Sequence, residues 1–95
     1  MNYGTYLRSK HWLRTRERML TMMGARCENC EDGRDLQVHH RSYDNLGRET
    51  SVDLVILCKL CHEVVTRWNR TQGGAKKAEE FAMRIIARRN WNGVL

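Results

Sequence analysis

Cys58-Lys59-Leu60-Cys61-His62 decides how this chain is read. In a Cys-x-x-Cys knuckle the two intervening residues let both thiols point at one centre. An earlier knuckle, Cys27-Glu28-Asn29-Cys30, uses the other two of the four cysteines, and residues 31–57 separate the pair. Four thiolates in tetrahedral array favour zinc, in a closed site with no open position for substrate. Cys27, Cys30, Cys58 and Cys61 are therefore expected to hold a structural Zn2+ and to do no chemistry. The spacing also admits an iron–sulfur centre, whereas redox dithiols would leave the duplicated knuckle unexplained. Ninety-five residues make one small domain, 1–95, with a modest core. A structural zinc, bound with roughly 10–16 kcal/mol, is the staple such a domain needs.

Three of the four histidines crowd the cage: His39 and His40 in Leu36-Gln37-Val38-His39-His40, and His62 directly after Cys61. Neighbouring side chains on a helix diverge by about 100°. Cys61 can thus face the cage while His62, with Thr66 and Asn69 at i+4 and i+7, faces a second centre. Val65 and Trp68 fall on the core side. On a strand, successive side chains leave opposite faces, so His39 and His40 are not expected to serve one ion alike. One imidazole would bind a metal and the other stay free as a base. The residues alone leave open which does which. His11, in the first helix, reads as surface.

The pattern predicts an α+β fold. Ser9 caps a first helix at about 10–23 that Gly24 ends, with Trp12, Leu13, Met19, Leu20 and Met23 on its apolar face. Leu36–His40 and Leu54–Leu57 read as short strands joined by a long connection. A second helix begins at Cys61 or His62 and ends near Thr71, closing a core of 27–71. After Gly73-Gly74, a C-terminal helix at about 75–90 carries Ala78, Phe81, Ala82, Ile85 and Ile86 on one face.

The net charge is +6, unevenly spread. Residues 1–26 hold six Lys/Arg against one acid, residues 27–62 four against seven, and residues 63–95 seven against three. Basic flanks around a metal-rich centre suit a polyanionic partner such as nucleic acid. No apolar run approaches the ~20 residues of a membrane span, so no membrane partner is expected. The N-terminus lacks the apolar core of a signal peptide, which points to a cytoplasmic protein.

The run Leu36-Gln-Val-His39-His40, followed by Asp53-Leu-Val-Ile-Leu57-Cys58-Lys-Leu-Cys61-His62, resembles the HNH endonuclease family, in its branch with a four-cysteine structural zinc. Small bacterial and phage members open with a helix like Ser9-Lys-His-Trp12. They carry a loop like Tyr43-Asp-Asn-Leu-Gly47-Arg-Glu49. The resemblance covers roughly residues 6 to 64 and omits the C-terminal helix. It implies a ββα-metal core in which His39 is the first ligand of a catalytic divalent ion and His62 the second. His40 would be the general base. The family's central Asn is here Asp53, expected to brace the loop that carries the base, with direct metal contact as the alternative. Thr66 stands where some relatives place a third histidine ligand.

The implied activity is hydrolysis of DNA phosphodiester bonds, leaving 5′-phosphate and 3′-hydroxyl ends. One such site nicks; paired sites would break both strands. Two imidazoles suit Mn2+, Ni2+, Co2+ or Zn2+ better than Mg2+, which stays possible because substrate oxygens complete the shell. Arg14, Arg16, Arg18, Arg67 and Arg70 are candidate DNA contacts on the flanks, and Arg41 and Arg48 nearer the site. Two alternatives remain. One is a non-enzymatic zinc-ribbon module that binds nucleic acid; the other is a nuclease subunit that needs a phage packaging partner.

Overall fold

The computed structural model describes residues 2–89. Ser9 has extended backbone, and its hydroxyl accepts the Trp12 N–H at 3.1 Å, an N-cap that starts helix α2, Lys10–Met23. Gly24 ends α2 in the left-handed conformation, φ 87°, which costs glycine little. A short helix, α1, Tyr3–Tyr6, precedes α2, capped by the Asn2 side chain on Thr5 N–H. The sequence pattern does not announce α1, because four residues carry no readable period.

Strands β1, Gln37–His40, and β2, Leu54–Leu57, pair antiparallel, with Gln37 opposite Leu57 and His40 opposite Leu54. Their long connection ends in a 3-10 turn, Ser51–Asp53. Helix α3 spans Lys59–Asn69 and α4 spans Gly74–Ala87. α3 starts earlier than the pattern predicts. Cys58 is its N-cap residue, and its carbonyl accepts the His62 N–H at 2.8 Å. Cys61 and His62 therefore share the first turn. α4 stops at Ala87, before the expected position 90, which lies outside the described residues.

Alternation along β2 divides the core. Leu54 and Ile56 pack with Tyr6, Trp12, Met19 and Val38 on the α2 side. Val55 and Leu57 pack with Cys27, Cys58 and Val65, and with Ala78, Ala82, Ile85 and Ile86 of α4. The two strands form a thin middle layer, and all four β2 residues are buried, as a strand covered on both faces requires. One expected core position differs: Leu13 is 52% exposed. Thr15 takes the buried place in the stripe with Trp12 and Met19, and its hydroxyl bonds the His11 carbonyl at 2.9 Å.

The outer edge of β2 would leave backbone groups unpaired. Glu28, inside the first knuckle, covers it. Its N–H donates to the Ile56 carbonyl, and its carboxylate accepts the Ile56 N–H, both at 2.9 Å. Arg89 donates to the Leu54 and Ser51 carbonyls at 2.7 Å and grips both Glu28 oxygens at 2.6 and 2.8 Å. Both side chains are nearly fully buried. Removing one partner of such a pair strands the other charge, at about 3–5 kcal/mol.

α4 begins where it crosses the end of α3. A Cβ on Gly74 would collide with the Trp68 carbonyl oxygen and crowd Thr71 Oγ1. Backbone cannot yield as a side chain does. Gly74→Ala is therefore expected to destabilise the fold by about 3 kcal/mol or more. Thermal melting should show a fall in Tm of more than about 10 °C; a Tm equal to that of the wild type would contradict this crossing.

Candidate active site and metal centre

The knuckle after α2 meets the end of β2 and the first turn of α3. There the sulfurs of Cys27, Cys30, Cys58 and Cys61 lie within 4.8 Å of one another, with Cys30 and Cys58 at 3.6 Å. A tetrahedral zinc with Zn–S bonds of about 2.3 Å sets its sulfurs about 3.8 Å apart. The four thiols could therefore hold one metal ion such as zinc. Among the described residues no other group of three or more His, Cys, Asp or Glu converges in this way. Burial raises the Cys27 pKa, but the N–H groups of Cys30, Cys58 and Asn29 outweigh it and bring the thiol down to about 7. The Asn29 amide donates to Cys61 Sγ at 3.3 Å.

β1 sends its histidines to opposite sides. His39 turns to α3, where its ring centroid lies 5.4 Å from that of His62, the planes crossing at 69°. Burial first, then His62 and His40, push the His39 pKa down to about 4. Burial also lowers that of His62. Both imidazoles are thus neutral near pH 7, the form with a lone pair for a metal. Thr66, Asn69, Arg16 and Arg70 line the same pocket, about 600 Å³ in volume.

His40 turns the other way and is 3% exposed. The expectation of a free base needs correction: both ring nitrogens are bonded. Nε2 lies 2.8 Å from a Glu49 oxygen, and Nδ1 lies 3.0 Å from the Tyr3 hydroxyl. The Tyr6 hydroxyl donates to both Glu49 oxygens at 2.8 Å. Burial would raise the Glu49 pKa, but the bonds from His40 and Tyr6 hold it below the ordinary value. An ionised carboxylate only accepts, so Nε2 carries a proton, and in the neutral imidazole Nδ1 is then the accepting nitrogen. Tyr3 and Tyr6 are raised to about 12, chiefly by burial, and stay protonated donors. His11, read as surface, is half exposed, yet its Nε2 comes within 4.0 Å of Glu49.

Asp53 is 3% exposed, and its carboxylate is taken up by the loop before it. It accepts from Thr50 N–H (2.8 Å), Thr50 Oγ1 (3.0 Å) and the Asn45 amide (3.2 Å). These bonds hold its pKa low against the raising effect of burial. They tie together the segment that presents Glu49 to His40.

The arginines separate. Arg16 and Arg70 line the histidine pocket, although Arg16 also donates to the Leu36 carbonyl at 3.3 Å. Arg67 and Arg70 border a smaller adjoining cleft, and Arg48 is exposed. Arg14 and Arg18 line a different groove with Met19 and Glu49. Arg41 has partners within the protein. It bonds Glu79 at 2.6 Å and the Val52 carbonyl at 2.7 Å, and lies 3.8 Å from Asp53.

Sequence reasoning missed Tyr3 and Glu49 as partners of His40, and Tyr6 as the donor to Glu49. These contacts span 37, 9 and 43 residues, and no local period marks them. In the sequence Glu49 is marked only by its place in the Tyr43–Glu49 loop. Comparisons with family models, curated proteins and solved structures give no match.

The cage predicts one tightly bound metal ion per chain, seen as thiolate-to-metal charge-transfer bands after cobalt substitution. Cys61→Ser should weaken those bands and lower the Tm; a metal-free wild type of unchanged stability would refute this. The buried carboxylates predict a second result. Glu49 and Asp53 have lowered folded-state values, so the folded chain binds fewer protons than the unfolded one in acid. Their stabilisation is complete above the unfolded values of about 4 and is lost as pH falls through the lowered folded ones. Urea unfolding across this window should show a shallower acid loss for Glu49→Gln, together with lower stability at pH 7.

Proposed function

We propose that the protein is a metal-dependent DNA endonuclease of the HNH type, with the four-cysteine cage as its structural zinc site. One observation carries this reading. A pair of neutral imidazoles, His39 and His62, opens into the same pocket as a histidine backed by a buried carboxylate, His40 with Glu49. A zinc-ribbon module needs only the cage and has no use for that constellation.

His39 and His62 would hold a divalent cation: Mn2+, Ni2+, Co2+, Zn2+ or Mg2+. When bound, it supplies positive charge for the oxygen that leaves the phosphate. His40 takes the proton of the attacking water at Nδ1. Glu49 keeps the Nε2–H tautomer in place and stabilises the imidazolium that forms. Tyr6 fixes Glu49, and Asp53 ties down the loop behind it. The water oxygen bonds to phosphorus as the bond to the 3′ oxygen breaks, and the departing 3′ oxygen takes a proton from solvent, giving 5′-phosphate and 3′-hydroxyl ends. Arg16 and Arg70 offer cationic partners for flanking phosphates.

The Tyr3 hydroxyl occupies the nitrogen that must receive the proton. For water to reach Nδ1, the Tyr3 hydroxyl must give way, as a shift of α1 would allow. This contact favours a second form of the reading, in which a partner such as a phage packaging protein displaces α1 and switches the nuclease on.

Purified protein incubated with supercoiled plasmid and a divalent ion should produce nicked circles. His40→Ala should lower the rate by about 10²–10⁴, and Glu49→Gln by roughly 10- to 100-fold. Tyr3→Phe, which frees Nδ1, should cut at least as fast as the wild type. Unchanged cutting by His40→Ala would remove the base assignment. If neither the wild type nor Tyr3→Phe cuts with any of these ions, the zinc-ribbon alternative stands.

A further inference from the structure

The rings around His40 form a column. Trp12 lies 4.5 Å from the imidazole with planes 29° apart, and Tyr43 lies 5.6 Å away with planes 25° apart. Exposure jumps at its outer end: Trp12 is 5% exposed and His40 3%, whereas Tyr43 is 59% exposed. Tyr3 stands edge-on to Tyr43 at 5.2 Å and braces its position. The column therefore begins in the core and ends in an aromatic ring facing solvent at the mouth of the histidine pocket. Among the described Tyr, Trp and Phe side chains this ring is the most exposed, ahead of Tyr3 at 39%. Arg16 and Arg70 line the same pocket, in a chain of net charge +6.

An open aromatic face beside cationic side chains matches the two halves of an unpaired nucleotide. The base can stack on the ring, and the phosphate can meet the guanidinium groups. In a duplex each base is already stacked and paired, and its face is not free. A protein or lipid partner would need a wider apolar surface than one ring provides.

We propose that Tyr43 is a stacking platform for an unpaired base next to the scissile phosphate, so that the preferred substrate is single-stranded or locally unpaired DNA. This rests on the nuclease reading for the word substrate. The binding step does not, and can be measured alone.

The test uses the full chain carrying only its cage metal, with no second divalent ion, so that nothing is cut. The probe is a short single-stranded oligonucleotide containing 2-aminopurine, compared with its duplex at equal salt. The expected result is tighter binding to the single strand, with the fluorescence quenching that stacking causes. Tyr43→Phe should bind as the wild type does. Tyr43→Ala and Tyr43→Leu should bind about 5- to 100-fold more weakly, the size of one base–aromatic stack, and lose the quenching. Their Tm values should match the wild type, since the side chain is largely exposed. Equal binding by Tyr43→Leu and the wild type, or preference for the duplex without quenching, would overturn the proposal. If the single strand is bound and quenched but no plasmid is cut in the separate assay, the platform stands and the nuclease reading fails.

Discussion

Everything in this fold hangs on fastening the first knuckle to the end of β2. The four cysteine sulfurs converge there within 4.8 Å, and Glu28, between two of them, pairs main chain and side chain with Ile56. A two-stranded sheet is marginal in water by itself. Here its outer edge is covered by Glu28 and Arg89, and its faces by α2 on one side and α3 with α4 on the other. Once β2 is held, the register with β1 follows, and the positions of His39 and His40 follow from the register.

That register gives two adjacent histidines different surroundings. His39 meets another imidazole across α3, and burial keeps both neutral. His40 enters an aromatic and acidic enclosure of Trp12, Tyr3, Tyr43 and Glu49. Each buried carboxylate nearby is satisfied in its own way: Glu28 by Arg89, Glu49 by Tyr6 and His40, Asp53 by Thr50 and Asn45. A buried charge without such partners would be costly. The hydrogen bonds that make the loop from Asn45 to Asp53 affordable therefore also aim Glu49 at His40.

Much of the scaffold was legible in the sequence. α2 could be read from Ser9 to Gly24 because capping chemistry is local. β2 could be read because four apolar residues in a row, between polar neighbours, have few other uses. The separation of Cys61 from His62 followed from helical geometry, and the separation of His39 from His40 from strand geometry. The errors lie where a nonlocal partner decides. Leu13 shares the apolar pattern of α2 yet faces solvent, because the stripe covered by β1 and β2 runs through Thr15. His40 was expected to stay free as a base, yet the fold brings Glu49 to one of its nitrogens and Tyr3 to the other.

Sequence by itself determined the donor inventory, its division between knuckles and histidines, and the periods that place each donor on a helix or a strand. These are properties of spacing, and spacing is written in the chain. Only the tertiary structure decided that Glu49 and Tyr6 stand behind His40, that Tyr3 sits on its other nitrogen, and that Tyr43 ends the ring column at solvent. The physical reason is that a short polar loop and a four-residue helix carry no period of their own. Their positions are set by hydrogen bonds to residues far along the chain, and those bonds exist only once the two-stranded layer has been closed.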